Sequence, residues 1–198
     1  MIDHSKEPNL PIRSSWNDYK IKLKWTKKQI EEAEKMTDEM MKSDLDGKLK
    51  YPETFSGNIF HICVADFLKV PYLKGYGCDI KLTSGITLEC KCKRVTQDVP
   101  GPNHYNEVYR IGQNSDFIVF GQNIPEMELS IIMGYISTKE FMDNCYFVRA
   151  HVDKPKDNHS EVSDNWCIRS KYLNPIQNCV EDFGGKRKAI QTNGILTF

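Results

Sequence analysis

The chain has no surplus of charge. Its 27 Lys and Arg are matched by 27 Asp and Glu over 198 residues. A surface that grips nucleic acid over a broad front needs a basic excess, so this balance counts against one and leaves only local clusters. Two such clusters exist, Lys20, Lys22, Lys24, Lys27 and Lys28 early and Lys186, Arg187 and Lys188 late, each read first as solvated surface. The sequence also lacks any apolar run long enough for a membrane span, and residues 1–15 lack the apolar core of a signal peptide. A cytoplasmic location, or a nuclear one in a eukaryotic host, is the expectation, with no membrane partner. Seven cysteines form no even framework, and there is no CxxC pair or His-rich tract. That argues for free thiols in a reducing compartment rather than disulfides or structural zinc. No internal repeat is visible, and the length suits one domain with a sizeable core.

What is present is a hairpin pattern at 76–94, YGCDIKLTSGITLECKCKR. Ile80 and Leu82 alternate with Asp79, Lys81 and Thr83; Ile86, Leu88, Cys90 and Cys92 alternate with Thr87, Glu89, Lys91 and Lys93. Thr83-Ser84-Gly85 supplies a turn, since glycine takes positive φ at little cost. A hairpin centred on Ser84 puts Asp79 opposite Glu89. Opposed residues and i, i+2 neighbours share a face, so Asp79, Glu89 and Lys91 are predicted on one side and Ile80, Leu88, Cys90 and Cys92 on the core side. A slip of one residue would separate the carboxylates. Two carboxylates meeting across a hairpin repel unless a cation lies between them, and oxygen ligands favour Mg2+ or a similar hard ion, often shared with a substrate phosphate. A lysine alongside can orient the attacking water and offset charge on a phosphoryl oxygen. The set suits metal-assisted phosphodiester hydrolysis.

The flanking segments read as follows. Residues 1–15 are a loose arm and 16–25 alternate like a strand. Thr26 caps a helix to about Ser43, broken by 44–52, and Ser56 or Thr54 caps a second, largely apolar helix over 57–69. After the hairpin come a Pro-Gly-Pro loop (96–103), a helix at 104–113 and a continuous apolar strand at 116–121. Strands are expected at 131–136, 145–151 and 166–169, short helices at 137–144 and 176–183, and a basic tail from 184 whose end could form a strand.

Asp79 with Glu89-Cys90-Lys91 resembles the signature of the PD-(D/E)XK nuclease superfamily. The run from that motif through the Pro-Gly-Pro loop to Tyr105, then DFIVFG, Gly134-Tyr135-Ile136 and Leu173-Asn174-Pro175-Ile176, resembles small phage and viral members over residues 53–180. The resemblance implies an α/β fold, a restriction-endonuclease-like core with a central mixed β-sheet flanked by helices. It divides the chain into an N-terminal arm and helix (1–50), a nuclease core (51–183) and a C-terminal tail (184–198). It implies a Mg2+-dependent deoxyribonuclease, an endonuclease with Mn2+ as an alternative ion, leaving a 5′-phosphate and a 3′-hydroxyl. Asp79, Glu89 and the Cys90 carbonyl would hold the metal and Lys91 would position the water. Lys93 and Arg94 would touch DNA, Tyr105 would lie near the site, and a homodimer would serve two strands. Where relatives often carry glutamate in the first core helix, this chain has His61, so either His61 or Glu53 completes the site, with Asp66 a weaker candidate. The competing expectation is a nucleic-acid-binding or regulatory module that keeps the fold and cleaves little or nothing.

Overall fold

Alternation of Ile21 and Leu23 with Lys22 and Lys24 sends the apolar pair inward and makes β1 (Ile21–Lys24) a sheet edge. The structure is a computed structural model and describes residues 8–13, 20–72, 79–96, 105–108, 115–148 and 165–178. Helix α1 (Lys27–Ser43) starts at a reciprocal cap: the Gln29 amide donates to Thr26 Oγ1 at 3.2 Å and the Thr26 amide to Gln29 Oε1 at 2.8 Å. Helix α2 (Tyr51–Leu68) begins six residues before the expected start at 57. Pro52 is the reason. It stands in the first turn, where its missing N–H leaves no bond unmade, so it opens this helix instead of interrupting the chain. Broad apolarity buries Ile59, Phe60, Ile62, Cys63, Val64, Ala65 and Phe67 between α1 and the sheet.

The remaining elements are β2 (Ile80–Lys81), β3 (Thr87–Arg94), β4 (Tyr105–Val108), β5 (Phe117–Ile124), β6 (Leu129–Ser137), α3 (Thr138–Asn144), β7 (Tyr146–Val148) and β8 (Asn165–Arg169). A five-stranded sheet runs in the order β1-β6-β5-β3-β2, with β3 and β5 parallel and the other pairs antiparallel. This is the expected α/β class, a mixed sheet flanked by helices, compatible with a restriction-endonuclease-like core. The strand expected within 16–25 and the helix from Thr26 to Ser43 are present as β1, in the main sheet, and α1, packed on α2. The arm expected over 1–15 is tied down where it is described: Leu10 packs on the second core, and Arg13 meets Glu140 at 2.6 Å and the Lys171 carbonyl at 2.9 Å.

Period-two alternation on β5 feeds two cores. Val119 points to the α1–α2 layer, while Ile118 and Phe120 point to a second core shared with Phe141 of α3 and Ile168 of β8. Over that side lies a three-stranded antiparallel sheet, β4-β8-β7. Residues 105–108, expected in a helix, are strand β4: Asn106 and Glu107 pair with Ile168 and Cys167. Sheet partners outweighed the helical spacing of Tyr105, Val108 and Tyr109. Of the helix expected at 176–183 only Ile176–Asn178 is described, as a 3-10 turn; residues 179–198, with the basic cluster and the end expected as a strand, lie outside the described residues, as does 97–104. No helix among the described residues is long and apolar enough to cross a membrane.

Candidate metal centre

The turn between β2 and β3 is a three-residue loop. The Leu82 amide donates to the Ile86 carbonyl at 2.8 Å, the Gly85 amide to the Leu82 carbonyl at 2.9 Å, and Gly85 takes φ +91°. That loop sets Ile80 opposite Leu88 and Lys81 opposite Thr87. The Asp79 amide, just before β2, donates to the Leu88 carbonyl at 2.9 Å.

Asp79 precedes β2 and caps the strand's end. The Cys90 amide donates to Asp79 Oδ2 at 2.6 Å, holding the carboxylate beside β3. A strand residue's N–H and C=O point to the same side, so the Cys90 carbonyl faces this edge too. From α2, His61 brings Nε2 to 2.5 Å from Asp79 Oδ2. The contact lacks hydrogen-bond geometry, and both ring nitrogens are buried without a hydrogen-bond partner. Buried polar atoms normally find partners. Two ligands of one cation stand about 3 Å or more apart, given bonds of about 2.1 Å, so this contact would have to open on binding.

Glu89 is buried, beside Ile118 of β5 in the parallel register, and Lys91 beside Phe120. The Lys91 ammonium donates directly to Glu89 Oε1. Burial first, and then the charge of Asp79, push the Glu89 carboxyl above its ordinary range, with Lys91 and His61 pulling the other way. A buried, ionised Glu89 is thus under-compensated by its protein neighbours, and added positive charge would relieve it. Carboxylate, carbonyl and imidazole donors suit a divalent cation; among the described residues the close group of ligand atoms is that of His61, Asp79 and Cys90, with Glu89 outside it.

The other expected residues are placed differently. Glu53 is exposed, meets Lys50 at 3.7 Å, and lies eight residues before His61, about 12 Å along α2, so it is not the completing carboxylate. Asp66 is exposed and accepts from Gln29 Nε2 at 2.6 Å, a link between helices. Lys93 and Arg94 are exposed at the end of β3, and Arg94 reaches Glu126 at 3.8 Å. Tyr105 opens β4 opposite Arg169, on the strand lying against β3. One feature of the site escaped the sequence reading: the Cys90 Sγ, assigned there to core packing, lies within 4.8 Å of the ligand atoms of His61 and Asp79. The signal was present in the alternation, which turns Cys90 toward the helix that carries His61. No protein-family model and no curated protein matches this chain.

Proposed function

We propose that the protein is a metal-dependent nuclease of the PD-(D/E)XK type, an endonuclease that hydrolyses phosphodiester bonds in DNA with Mg2+ or Mn2+. The observations that carry this reading are two pairs at the hairpin, Asp79 with the unpartnered ring of His61 and Glu89 with Lys91, near enough for the charges of Asp79 and His61 to act on Glu89. Asp79, Glu89, the Cys90 carbonyl and His61 would hold the ion. When bound, it supplies Lewis-acid charge at the scissile phosphate.

The chain's own groups do the rest. The Cys90 amide fixes the direction of the Asp79 carboxylate. Glu89 holds the Lys91 ammonium at the site, where it orients the attacking water and offsets negative charge on the phosphoryl oxygens. Exposed Lys93 and Arg94, on the same strand, are suited to steering the DNA backbone. Overall neutrality favours a second reading, a nucleic-acid-binding or regulatory module with this fold.

Plasmid nicking with Mg2+, Mn2+ or EDTA separates the two. Cleavage that needs the metal and falls about 100-fold or more in Lys91→Ala supports the enzyme, a loss of the size seen when one charge-stabilising group is removed. Firm DNA binding with no cleavage under either ion favours the module.

A further inference from the structure

A carbonyl and a thiol of the same residue face this site, and they suit different metals. Nitrogen of His61, a carboxylate oxygen of Asp79 and Sγ of Cys90 all lie within 4.8 Å of one another. Ligand atoms around a tetrahedral zinc-class ion stand about 3.5 Å apart, given bonds of about 2.0–2.3 Å. Closing the sulfur and opening the crowded His61–Asp79 contact each take a side-chain adjustment of about 1 Å. The imidazole is already without a hydrogen-bond partner, so its recruitment breaks nothing. Glu89 and Lys91 occupy each other and are not required.

We infer that His61, Asp79 and the Cys90 thiolate form a second ligand set, one for a thiophilic divalent ion of the Zn2+, Co2+ or Cd2+ class, overlapping the oxygen-rich set at Asp79 and His61. Imidazole and thiolate favour such ions, whereas carboxylates and carbonyls favour Mg2+ and Mn2+. On binding, the S–H bond breaks, the sulfur–metal bond forms, and the proton passes to solvent. Because Asp79 and His61 serve both sets, the two ions exclude one another, and a thiophilic ion blocks cleavage supported by Mg2+. That blocking rests on the nuclease reading; the binding does not.

The test titrates the metal-free full chain with Co2+ and follows the sulfur-to-cobalt charge-transfer absorption, with Zn2+ affinity measured by chelator competition. The expected result is a charge-transfer band at one equivalent in the wild type. It is lost in Cys90→Ala although the other six of seven cysteines remain. Zn2+ affinity should fall at least tenfold in Cys90→Ala and in His61→Ala, since even partners that only orient a ligand are worth about 10–100-fold. His61→Ala alters a separate element, so it tests the site if Cys90→Ala folds poorly. No cobalt bound, cobalt bound with no thiolate band, or a band that survives in Cys90→Ala overturns the proposal. Nicking in Mn2+ on the same preparations separates the failures: nicking without a cobalt band leaves the nuclease and removes the thiol site, and a band without nicking does the reverse.

Discussion

Two polar clusters lie between α2 and β3, five residues apart on the helix, and they are built on opposite rules. Around Ser56 nearly everything is paired. Asn123 Nδ2 donates to the Ser56 carbonyl at 2.6 Å and to Ser56 Oγ at 2.9 Å; Ser130 Oγ donates to Asn123 Oδ1 at 2.7 Å; Trp25 Nε1 donates to Ser130 Oγ at 2.8 Å. That chain ties β1, β5, β6 and α2 together inside an apolar core. Around His61 both ring nitrogens are buried without a hydrogen-bond partner, and burial opposes the charge of Glu89 even with Lys91 beside it. A satisfied buried network adds rigidity. A cluster left short of positive charge stores a demand for a ligand. On the proposed reading this difference is what separates a site from a structural network on the same helix.

The two respond oppositely to substitution. The largest effect belongs to Gly121→Ala, which strikes the seat that both share. A Cβ there would lie 2.1 Å from the Phe60 ring and 2.6 Å from the Ile131 carbonyl oxygen, and the backbone atom cannot move aside. Overpacking of this severity should cost about 3 kcal/mol or more. It also shifts Phe60, and with it the adjacent His61, so denaturant melts and Mn2+ affinity should both suffer.

Asn123→Ala should divide the clusters. It leaves the Ser56 carbonyl and the Ser130 hydroxyl short of partners in the core, a loss of about 1–3 kcal/mol. Mn2+ affinity should stay near the wild-type value. A fall in affinity equal to that of a ligand variant would mean that the two clusters are one unit.

Glu89→Gln should do the reverse, losing the ion while gaining about 1 kcal/mol, or some 2–4 °C in Tm, for the metal-free chain near neutral pH. The sign follows from the raised carboxyl pKa. The folded chain keeps a proton at pH values where the unfolded chain has released it, so metal-free stability falls as pH rises from the ordinary glutamate range through the raised folded value. The variant lacks that decline. Its advantage should therefore be absent at acid pH, open above the ordinary glutamate range, and level off once the wild-type carboxyl is fully ionised. Thermal melts without metal across that range read it directly.

The hairpin was legible because its turn is local. Three loop residues with glycine last fix Ile80 on Leu88 and Lys81 on Thr87; the Asp79 carboxylate, expected on the face of Glu89 and away from Cys90, instead meets His61 and the Cys90 thiol. The Thr26 cap and the β5 and β6 runs were legible for the same reason. What was not legible depended on distant partners. Pro52 reads as a stop until a helix is seen to start at it. Tyr105, Val108 and Tyr109 share a helical spacing, yet residues 105–108 are held extended by β8, some sixty residues on. At the site, His61 and Glu53 were equal alternatives in sequence, and only the packing of α2 on β3 separates them. The Cys90 thiol was assigned to the core because alternation gives a side and not a neighbour.

The binding of Mn2+ to the metal-free chain, measured by calorimetry beside Asp79→Asn, addresses the cation demand at this strand end most directly. The wild type should show saturable binding, and the variant, which keeps the shape and loses the charge, should bind at least tenfold more weakly, beyond the effect of a merely orienting partner. Equal binding by both proteins, or none by the wild type, would contradict a metal centre at Asp79.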